Sequence, residues 1–270
     1  MHPSPGDWNQ FYSQFLRKTG IDLALYKPSQ LQRRILSMVE QQGCKDLAAF
    51  YQWMNSTPAN VEWFLDKMAI NVSELFRNPE KWAEIENRVL PELLGKGKGL
   101  RAWSAGCSYG AEAHSLAMIL HANFRGVHSV LGTDIDTAAL NQARSGEFSD
   151  ADVRCVPDKY KREYLRESQG KWTAQPSLKG LLKFQRQNLL ADRFEQGFDL
   201  IMCRNVVIYF TDEAKDKLYQ RFFDSLAPGG YLWVGSTERV FKAQDLGFET
   251  PLPFFYRKPL MGQKLWRTAS

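Results

Sequence analysis

Glycine residues stand where an apolar, strand-like segment of this sequence gives way to a helical one. The segment LRAWSAG runs into CSYGAEAHSLAM, which places Gly106 and Gly110 at a predicted strand-to-helix turn. Glycine at such a turn permits positive φ and lets a ligand approach the backbone closely. The spacing is not G-x-G-x-x-G, and a tight turn without a ligand would use the same residues. The turn is therefore a candidate ligand site that needs support from elsewhere in the chain.

Two carboxylates lie where the next predicted strand, in SVLGTDI, ends. Asp134 ends this strand, and Asp136 comes two positions later. A carboxylate at this location can accept hydrogen bonds from both ribose hydroxyls of an adenosine. The alternative role is an N-cap for the following helix, which suits Asp136 better than Asp134. We therefore expect Asp134 to bind a nucleoside.

Further polar residues follow a third strand-like segment, FDLIMC, which runs into Arg204 and Asn205 and then reaches Tyr209. Beyond it, LAPGGYLWVGSTE places a P-G-G turn between a helix and an apolar strand, which resembles the late sheet of class I methyltransferases. A nicotinamide-dependent dehydrogenase would need G-x-G-x-x-G and a catalytic His or Tyr–Lys pair, which we cannot place in this sequence. The order of these motifs favours S-adenosylmethionine over a nicotinamide cofactor.

Strands and helices alternate from Leu100 onward, which indicates a doubly wound, mostly parallel sheet. Between Pro157 and Phe184 short strands separated by turn residues predict an inserted β-subdomain, at about residues 157–185. Residues 248–257 carry two prolines at a turn and predict an antiparallel hairpin at the edge of the sheet. The predicted fold class is α/β, with a Rossmann-like methyltransferase domain over residues 99–270.

Short helices alone are predicted for residues 1–78, which we expect to form a helical domain with its own core. Asp7 is the expected N-cap of the first helix and Asp46 that of the third. A helix after Pro79, ending near Pro91 and followed by GKGKG, predicts a linker over residues 79–98.

The second predicted helix, after Pro28, has a basic side. Arg33 and Arg34 lie outside its apolar stripe, so we expect their charged groups in solvent. The stripe is formed by Leu31, Ile35, Met38 and Val39.

Composition limits the class of protein. The chain has 270 residues, of which 44% are hydrophobic and 24% charged, as in ordinary soluble globular proteins. No apolar run approaches the ~20 residues of a membrane-spanning helix, and the start MHPSPGDW lacks signal-peptide features, so we expect a cytoplasmic protein. The four cysteines form no C-x-x-C pair, and two histidines, His114 and His121, do not make a metal site. No metal is predicted, and both histidines are expected to be structural.

The basic residues are unevenly distributed along the chain. The net charge is +5, and the basic residues cluster in residues 17–34 and 159–186. Such stretches favour an acidic partner, which could be nucleic acid or an acidic protein surface.

Six segments follow one another along this chain. They are INVSELFRNP, WSAGCSYGAEAHSLAM, TDIDTAALNQARSGEF, FQRQNLL, FDLIMCRNVVIYF and LAPGGYLWVGSTE. Their order resembles that of one bacterial family, the CheR-type chemotaxis receptor methyltransferases, and the likeness covers nearly the whole chain. The pairing of INVSELFR with CRNVVIYF is specific to that family. The resemblance implies a protein-glutamate O-methyltransferase with an all-α N-terminal domain and an inserted β-subdomain. Its cofactor would be S-adenosyl-L-methionine and its product S-adenosyl-L-homocysteine.

The same resemblance implies roles for individual residues. Arg77 and Tyr209 match the residues beside the transferring methyl group, although an interdomain salt bridge and a core position are their structural alternatives. Ser73, Ala111 and Ala113 depart from the residues that many relatives carry, while Glu112 and a hydroxyl group are kept. With Gly106 from the glycine turn, the expected cofactor-binding residues are Asn71, Ser73, Arg77, Gly106, Glu112, Asp134, Asn188, Leu189, Arg204 and Asn205.

The resemblance implies as partners the helical cytoplasmic domains of methyl-accepting chemotaxis receptors, which we expect to dock on the N-terminal helical domain, residues 1–78, at Arg33 and Arg34. We expect a monomer with no nucleic-acid partner and no membrane insertion, and the short turn RESQGKW favours binding without a receptor tether peptide. An RNA or DNA methyltransferase is the alternative, but base-amino methyltransferases typically show N/D-P-P-Y/F where this chain has CRNVVIYF. A third alternative is a non-enzymatic binding module. It is disfavoured because the chain keeps the expected site residues Glu112, Asp134, Arg77 and Tyr209.

Overall fold

Four helices form the N-terminal domain. The computed structural model describes residues 3–69, 73–95 and 99–260. The helices are α1 (Pro5–Thr19), α2 (Pro28–Gln41), α3 (Leu47–Asn55) and α4 (Pro58–Met68). Ser4, not Asp7, is the N-cap of α1, and Asp7 completes a capping box by accepting the backbone N–H of Ser4 at 2.8 Å. Asp46 caps α3 as predicted.

The apolar stripe of α2 is buried as predicted, in a core rich in phenylalanine. Arg33 is exposed, but Arg34 is half-buried, and its guanidinium donates to the backbone carbonyls of Lys67 and Ala69. The expectation that both arginines extend into solvent is therefore wrong for Arg34. The last carbonyls of a helix lack helical partners, and Arg34 satisfies two of them at the end of α4.

The segment predicted as a linker is a continuous helical stretch that packs into the larger domain. It consists of α5 (Pro79–Glu84), a π-helical turn (Ile85–Val89) and α6 (Leu90–Leu94). Trp82 is buried against Trp233, with ring centroids 5.0 Å apart. The predicted helix is therefore confirmed, but it runs past Pro91 and is part of the core of the larger domain.

The larger domain is built on a seven-stranded sheet. The strands are β1 (Arg101–Ala105), β2 (Ser129–Asp134), β6 (Leu182–Arg186), β7 (Phe198–Cys203), β8 (Leu226–Val234), β9 (Glu249–Leu252) and β10 (Phe255–Arg257). Their order across the sheet is β6-β2-β1-β7-β8-β10-β9. The first five strands in this order are parallel, and β10 pairs with both β8 and β9 in antiparallel fashion, so the predicted hairpin at the sheet edge is confirmed. The helices around this sheet are α7 (Ala111–Asn123), α8 (Thr137–Ser145) and α10 (Asp212–Ser225).

A second, antiparallel sheet forms the inserted subdomain. It contains β3 (Glu147–Ser149), β4 (Leu165–Ser168) and β5 (Lys171–Ala174), in the order β3-β5-β4, next to α9 (Asp158–Tyr164). The predicted range 157–185 needs correction at both ends. It omits β3, and it includes most of β6, which pairs in parallel with β2 in the main sheet.

The strand order changes direction at β1. The chain moves from β1 to β2 and on to β6 on one side, and then crosses to β7 on the other. In parallel sheets, ligands bind outside the carboxyl ends of the strands at such a switch point. The residues that follow β1, β2, β6 and β7 therefore meet at one edge of the sheet.

The helical domain also contacts this edge through its backbone. The Lys27 N–H donates to the Tyr209 carbonyl at 2.9 Å, and the Thr211 N–H donates to the Leu25 carbonyl at 2.9 Å. Between these two bonds, the rings of Tyr26 and Phe210 meet edge to face at 5.2 Å. The two domains thus share a short antiparallel bridge beside the carboxyl ends of the strands.

Candidate cofactor cleft and active site

A cleft of about 720 Å³ lies between the helical domain and the carboxyl ends of the parallel strands. Every predicted site residue that the structure describes lines it, whereas Asn71 lies outside the described residues. These lining residues are Arg33, Arg34, Ser73, Arg77, Gly106, Glu112, Asp134, Asn188, Leu189, Arg204, Asn205 and Tyr209. Pockets of this size hold small-molecule ligands.

Asp134 is held in a fixed orientation at the end of β2. One carboxylate oxygen accepts the Ser108 N–H at 2.7 Å, and the other accepts the Asp136 N–H at 3.0 Å. Burial raises the pKa of Asp134, and these N–H groups oppose the shift. Asp136 caps α8 by accepting the N–H groups of Ala138 and Ala139, which confirms its predicted role. The two carboxylates therefore have different tasks, and Asp134 borders the cleft.

The glycine turn is required mainly by packing within the protein. Gly106 has φ of 78°, and a Cβ placed there would lie 2.5 Å from Cγ2 of Val206. Gly110 has φ of 81°, and a Cβ there would lie 2.7 Å from Cβ of Ala143. The tight-turn explanation therefore accounts for both glycines, although Gly106 also lines the cleft.

A buried network connects the start of α7 with the end of β7. Glu112 accepts the Ser104 hydroxyl at 2.7 Å and pairs with Arg204 Nη1 at 3.3 Å. The Arg204 side chain is only 6% exposed, and its guanidinium lies 4.1 Å from the ring centroid of Trp233. Its Nη2 donates to the Arg77 carbonyl at 3.1 Å and to Asn78 Oδ1 at 2.7 Å. Arg204 thus holds the segment that carries Arg77 through Nη2, and it pairs with Glu112 through Nη1.

The segment around Arg77 is anchored on both sides. Phe76 and Asn78 have positive φ values of 55° and 61°. The Phe76 N–H donates to the Ser115 hydroxyl at 2.9 Å, and its buried ring stacks on Tyr160 at 5.1 Å. The Tyr109 hydroxyl donates to the Ser73 carbonyl. These contacts hold Ser73 and Arg77 at the wall of the cleft.

Tyr209 ends a 3₁₀ turn, Val207–Tyr209, and is half-buried at the margin of the core. Burial raises the pKa of its phenol, and the positive charges of Arg34 and Arg77 oppose the shift. The phenol is therefore protonated at neutral pH. Tyr209 packs against the core and also borders the cleft. The two predicted alternatives, a core aromatic and a site residue, therefore both apply to this side chain.

Residues after β6 form another wall of the cleft. Asn188 is buried, and its Oδ1 accepts the Leu190 N–H at 2.9 Å. Gln187, which was not predicted, also lines the cleft, and its buried Oε1 has no hydrogen-bond partner among the described residues. Its place next to the predicted Asn188 was the one sequence signal that could have identified it.

The helical domain supplies part of the wall that sequence reasoning missed. Tyr26, Leu65 and Met68 line the cleft opposite the sheet. Burial raises the pKa of Tyr26, and the negative charge of Asp134, which lines the same cleft, raises it further. No local pattern marks these residues as site residues, because the interface depends on how the domains pack.

The histidines and cysteines are explained by packing. Within the described ranges, no group of three or more His, Cys, Asp or Glu side chains is placed to hold a metal ion, and no helix is long and apolar enough to span a membrane. His114 is buried with its Nδ1 2.9 Å from the Gly110 carbonyl, and His121 Nδ1 lies 2.9 Å from the Tyr164 hydroxyl. The four cysteines are free. The structural role expected for both histidines is confirmed.

The polar groups of the cleft fit the expected cofactor. S-adenosylmethionine carries two ribose hydroxyls, an adenine amino group and an ammonium group, all of which donate hydrogen bonds. Asp134, Glu112 and the unpartnered Oε1 of Gln187 are acceptors on the cleft wall. A buried acceptor without a partner is costly, and a bound donor would remove that cost.

Comparison with known proteins extends over both domains. Residues 6–69 match the CheR methyltransferase all-alpha domain, and residues 71–251 match the CheR methyltransferase SAM binding domain. A chemotaxis protein methyltransferase of Listeria monocytogenes is 37% identical over 93% of this chain and 97% of that relative. Chemotaxis protein methyltransferase 1 of Pseudomonas aeruginosa is 31% identical over 87% of this chain and 91% of that relative.

Among solved structures, an S-adenosylmethionine-dependent methyltransferase of Mesorhizobium loti overlaps with 56% of this chain and 52% of its own at 22% identity and a TM-score of 0.34. The assignment does not depend on this distant likeness. It follows from the two domain matches, from relatives that match over most of both chains, and from a cleft at the switch point of the sheet. The chain belongs to the CheR methyltransferase family and is an S-adenosylmethionine-dependent methyltransferase of the chemotaxis type.

Proposed function

We propose that this enzyme methylates glutamate side-chain carboxylates on the helical cytoplasmic domains of chemotaxis receptors. The products would be glutamyl methyl esters and S-adenosylhomocysteine. The observation that carries the proposal is the position of Arg77, Arg34 and Tyr209 on the wall of one cleft, where both guanidinium charges act on the phenol. Two cations and a protonated phenol form a surface that suits an anionic substrate.

The chemistry requires little beyond placement. When bound, S-adenosylmethionine supplies an electrophilic methyl group on a cationic sulfonium. A glutamate side chain, with an ordinary pKa of about 4.3, is ionised at neutral pH, so no general base is required. Arg77 would contact one carboxylate oxygen and leave the other free as nucleophile. Tyr209 would donate a hydrogen bond from its hydroxyl to the carboxylate, or it would place its ring near the sulfonium cation. The ring–cation contact is worth about 0.5–2 kcal/mol.

The cofactor would be held by the residues at the strand ends. Asp134 would accept the ribose hydroxyls, because its orientation is fixed by the N–H groups of Ser108 and Asp136. Gly106, Glu112, Asn188, Leu189 and Asn205 line the same cleft and would complete this site with Ser73. Arg204 would act indirectly, by positioning Arg77, because its Nη2 donates a hydrogen bond to the Arg77 carbonyl.

Receptor docking is proposed at the mouth of the cleft, on α2. Arg33 is exposed there, whereas Arg34 is partly committed to the end of α4. A positive residue beside the cleft would attract an acidic receptor helix and orient it, with screening over about 8 Å at physiological salt. Arg33 therefore carries the docking proposal, and Arg34 supports both docking and the local fold.

The function is tested by offering two substrates to the full-length enzyme. S-adenosylmethionine with a labelled methyl group is incubated with a receptor cytoplasmic domain or with RNA, and Asp134→Ala serves as the cofactor-site control. We expect label in the receptor domain and its release in mild alkali, because carboxyl methyl esters hydrolyse there and N-methyl groups do not. Label in RNA, or alkali-stable label in protein, would favour the alternative of a nucleic-acid or amino-group methyltransferase.

A further inference from the structure

Glu238 is a buried carboxylate behind the cleft that ends the segment LAPGGYLWVGSTE, in which neither the sequence pattern nor the family resemblance gave it a role. It follows β8 in the turn formed by residues 235–238, and it is only 4% exposed. It is not among the residues that line the cleft. Glutamate is almost never fully buried without partners, so this side chain requires an explanation.

The carboxylate binds backbone N–H groups from two separate segments. Its Oε2 accepts the Asn205 N–H at 2.8 Å and the Gly235 N–H at 2.7 Å. Burial raises the pKa of Glu238, while the backbone N–H groups of Asn205, Gly235 and Val207 oppose that shift. Its Oε1 has no hydrogen-bond partner within the described part of the chain. The carboxylate therefore connects the loop after β8 to the loop after β7.

The loop after β7 has a backbone conformation that needs support. Asn205 has φ of 60°, in the left-handed region, which non-glycine residues seldom adopt. After it, Val206 packs against Gly106, and the 3₁₀ turn Val207–Tyr209 begins. Glu238 holds this turn at its start, and the Lys27 N–H holds it at the Tyr209 carbonyl.

The neighbouring glycine makes room for the carboxylate. A Cβ at Gly235 would lie 2.5 Å from Oε2 of Glu238 and 3.1 Å from the backbone nitrogen of Asn205. Gly235 has no positive φ, so its backbone conformation does not demand glycine. Close approach of Glu238 and Asn205 is the feature that excludes a side chain at this position.

We propose that Glu238 is a positioning residue for methyl transfer, whose carboxylate fixes the Asn205–Tyr209 turn so that Asn205 and Tyr209 reach the cleft. The proposal rests on the proposed function, since it acts through Tyr209 at the reaction site. A displacement of about 1 Å at a reacting centre can lower turnover by about 100-fold. Loss of the Glu238 carboxylate should therefore reduce kcat without any contact between Glu238 and the substrate.

The test compares Glu238→Ala with Asp199→Asn in the full-length protein. Asp199 is also buried, and it accepts the Arg101 N–H at 2.9 Å, but it lies on β7 near the end opposite the cleft. We expect Glu238→Ala to lower kcat by about 10- to 100-fold and Asp199→Asn to leave kcat within about twofold of the parent. Glu238→Gln, which keeps an acceptor oxygen, should recover part of the activity, and it remains informative if the alanine variant fails to fold.

Each substitution is then combined with Tyr209→Phe, because coupled residues have non-additive effects. If Glu238 acts through Tyr209, Glu238→Ala should reduce kcat much less in the Tyr209→Phe background than in the parent. Equal fold-reductions in both backgrounds would overturn the proposal, and so would a kcat equal to that of Asp199→Asn.

A second readout does not depend on activity. Amide hydrogen exchange at Asn205 should accelerate at least about tenfold in Glu238→Ala and remain unchanged in Asp199→Asn, because only the first loses the acceptor of that N–H. Unchanged exchange at Asn205 would overturn the positioning role even in an active enzyme. Accelerated exchange in a protein that methylates no receptor would instead leave the positioning role intact and contradict the proposed function.

Discussion

Asp134 Oδ1 accepts the backbone N–H of Asp136 at 3.0 Å, so the carboxylate at the end of β2 is oriented by the residue that caps the next helix. The Asp136 carboxylate is occupied by the N–H groups of α8, whereas the Asp134 carboxylate borders the cleft. The bond to Asp134 comes from the backbone of Asp136, so it survives changes in the Asp136 side chain. The two residues therefore form a matched pair for testing the cofactor site.

Asp134→Ala should weaken binding of S-adenosylhomocysteine by about 10- to 100-fold, because loss of a charge-assisted acceptor costs about 1.5–3 kcal/mol. Calorimetric titration measures this change directly. Asp136→Ala is the control, and it should lower the free energy of unfolding by about 0.5–2 kcal/mol through loss of the cap while leaving the dissociation constant nearly unchanged. An unaltered dissociation constant in Asp134→Ala would remove Asp134 from the site.

Arg77→Ala and Tyr209→Phe should lower turnover far more than cofactor affinity. Both residues line the cleft without being fully buried, so neither change opens a large cavity in the core. A side chain that acts mainly in the transition state reduces kcat and kcat/KM together. Steady-state kinetics and thermal unfolding should be measured on the same samples. A large fall in Tm in either variant would support a structural role instead.

Arg33→Glu should slow receptor methylation and spare S-adenosylhomocysteine binding. The defect should be larger at low salt, where the attraction that the substitution removes is strongest. Lys45→Glu makes the same charge change on an exposed residue of the helical domain outside the cleft wall, and it should have little effect. Equal rates for Arg33→Glu and the parent across a salt series would contradict docking at α2.

His114 should make the fold sensitive to mild acid. Burial lowers its pKa to about 4, whereas an unfolded histidine titrates at about 6.5. Between these values the unfolded chain binds more protons, so stability is full above about pH 6.5 and falls as the pH drops toward 4, by up to about 3 kcal/mol. His114 lies between Phe148 and Phe184, so His114→Phe should keep the packing and reduce the loss. Urea unfolding at several pH values measures the difference, and identical slopes for variant and parent would contradict this assignment.

The sequence predicts those site residues that lie at or just after the end of a predicted strand. Asp134, Asn188 and Arg204 each come within two residues of the end of a parallel strand, and such ends meet at one edge of the sheet. Helical periodicity likewise predicted the buried face of α2. These features depend on residues close together in the chain, so no knowledge of distant contacts is needed.

Features decided by distant contacts were not predictable. The strand β6 is only partly buried and follows a short 3₁₀ turn, Pro176–Leu178, so its sequence resembles that of a strand in the inserted sheet. Its parallel pairing with β2 shows that it belongs to the main sheet. Arg34 was expected in solvent because its carbonyl acceptors lie more than thirty residues away, at the end of α4. Glu238 was missed because a glutamate in a polar turn gives no local sign of burial.

Locating the methyl group on the substrate distinguishes carboxyl methylation of receptors from methylation of nitrogen or of RNA. A receptor cytoplasmic domain is incubated with the full-length enzyme and S-adenosylmethionine, digested, and mapped by mass spectrometry before and after mild alkali. We expect methyl groups on glutamate side chains that disappear with alkali and are absent from a reaction with Asp134→Ala. Methyl groups on nitrogen that survive alkali, or an unmodified receptor beside methylated RNA, would contradict it.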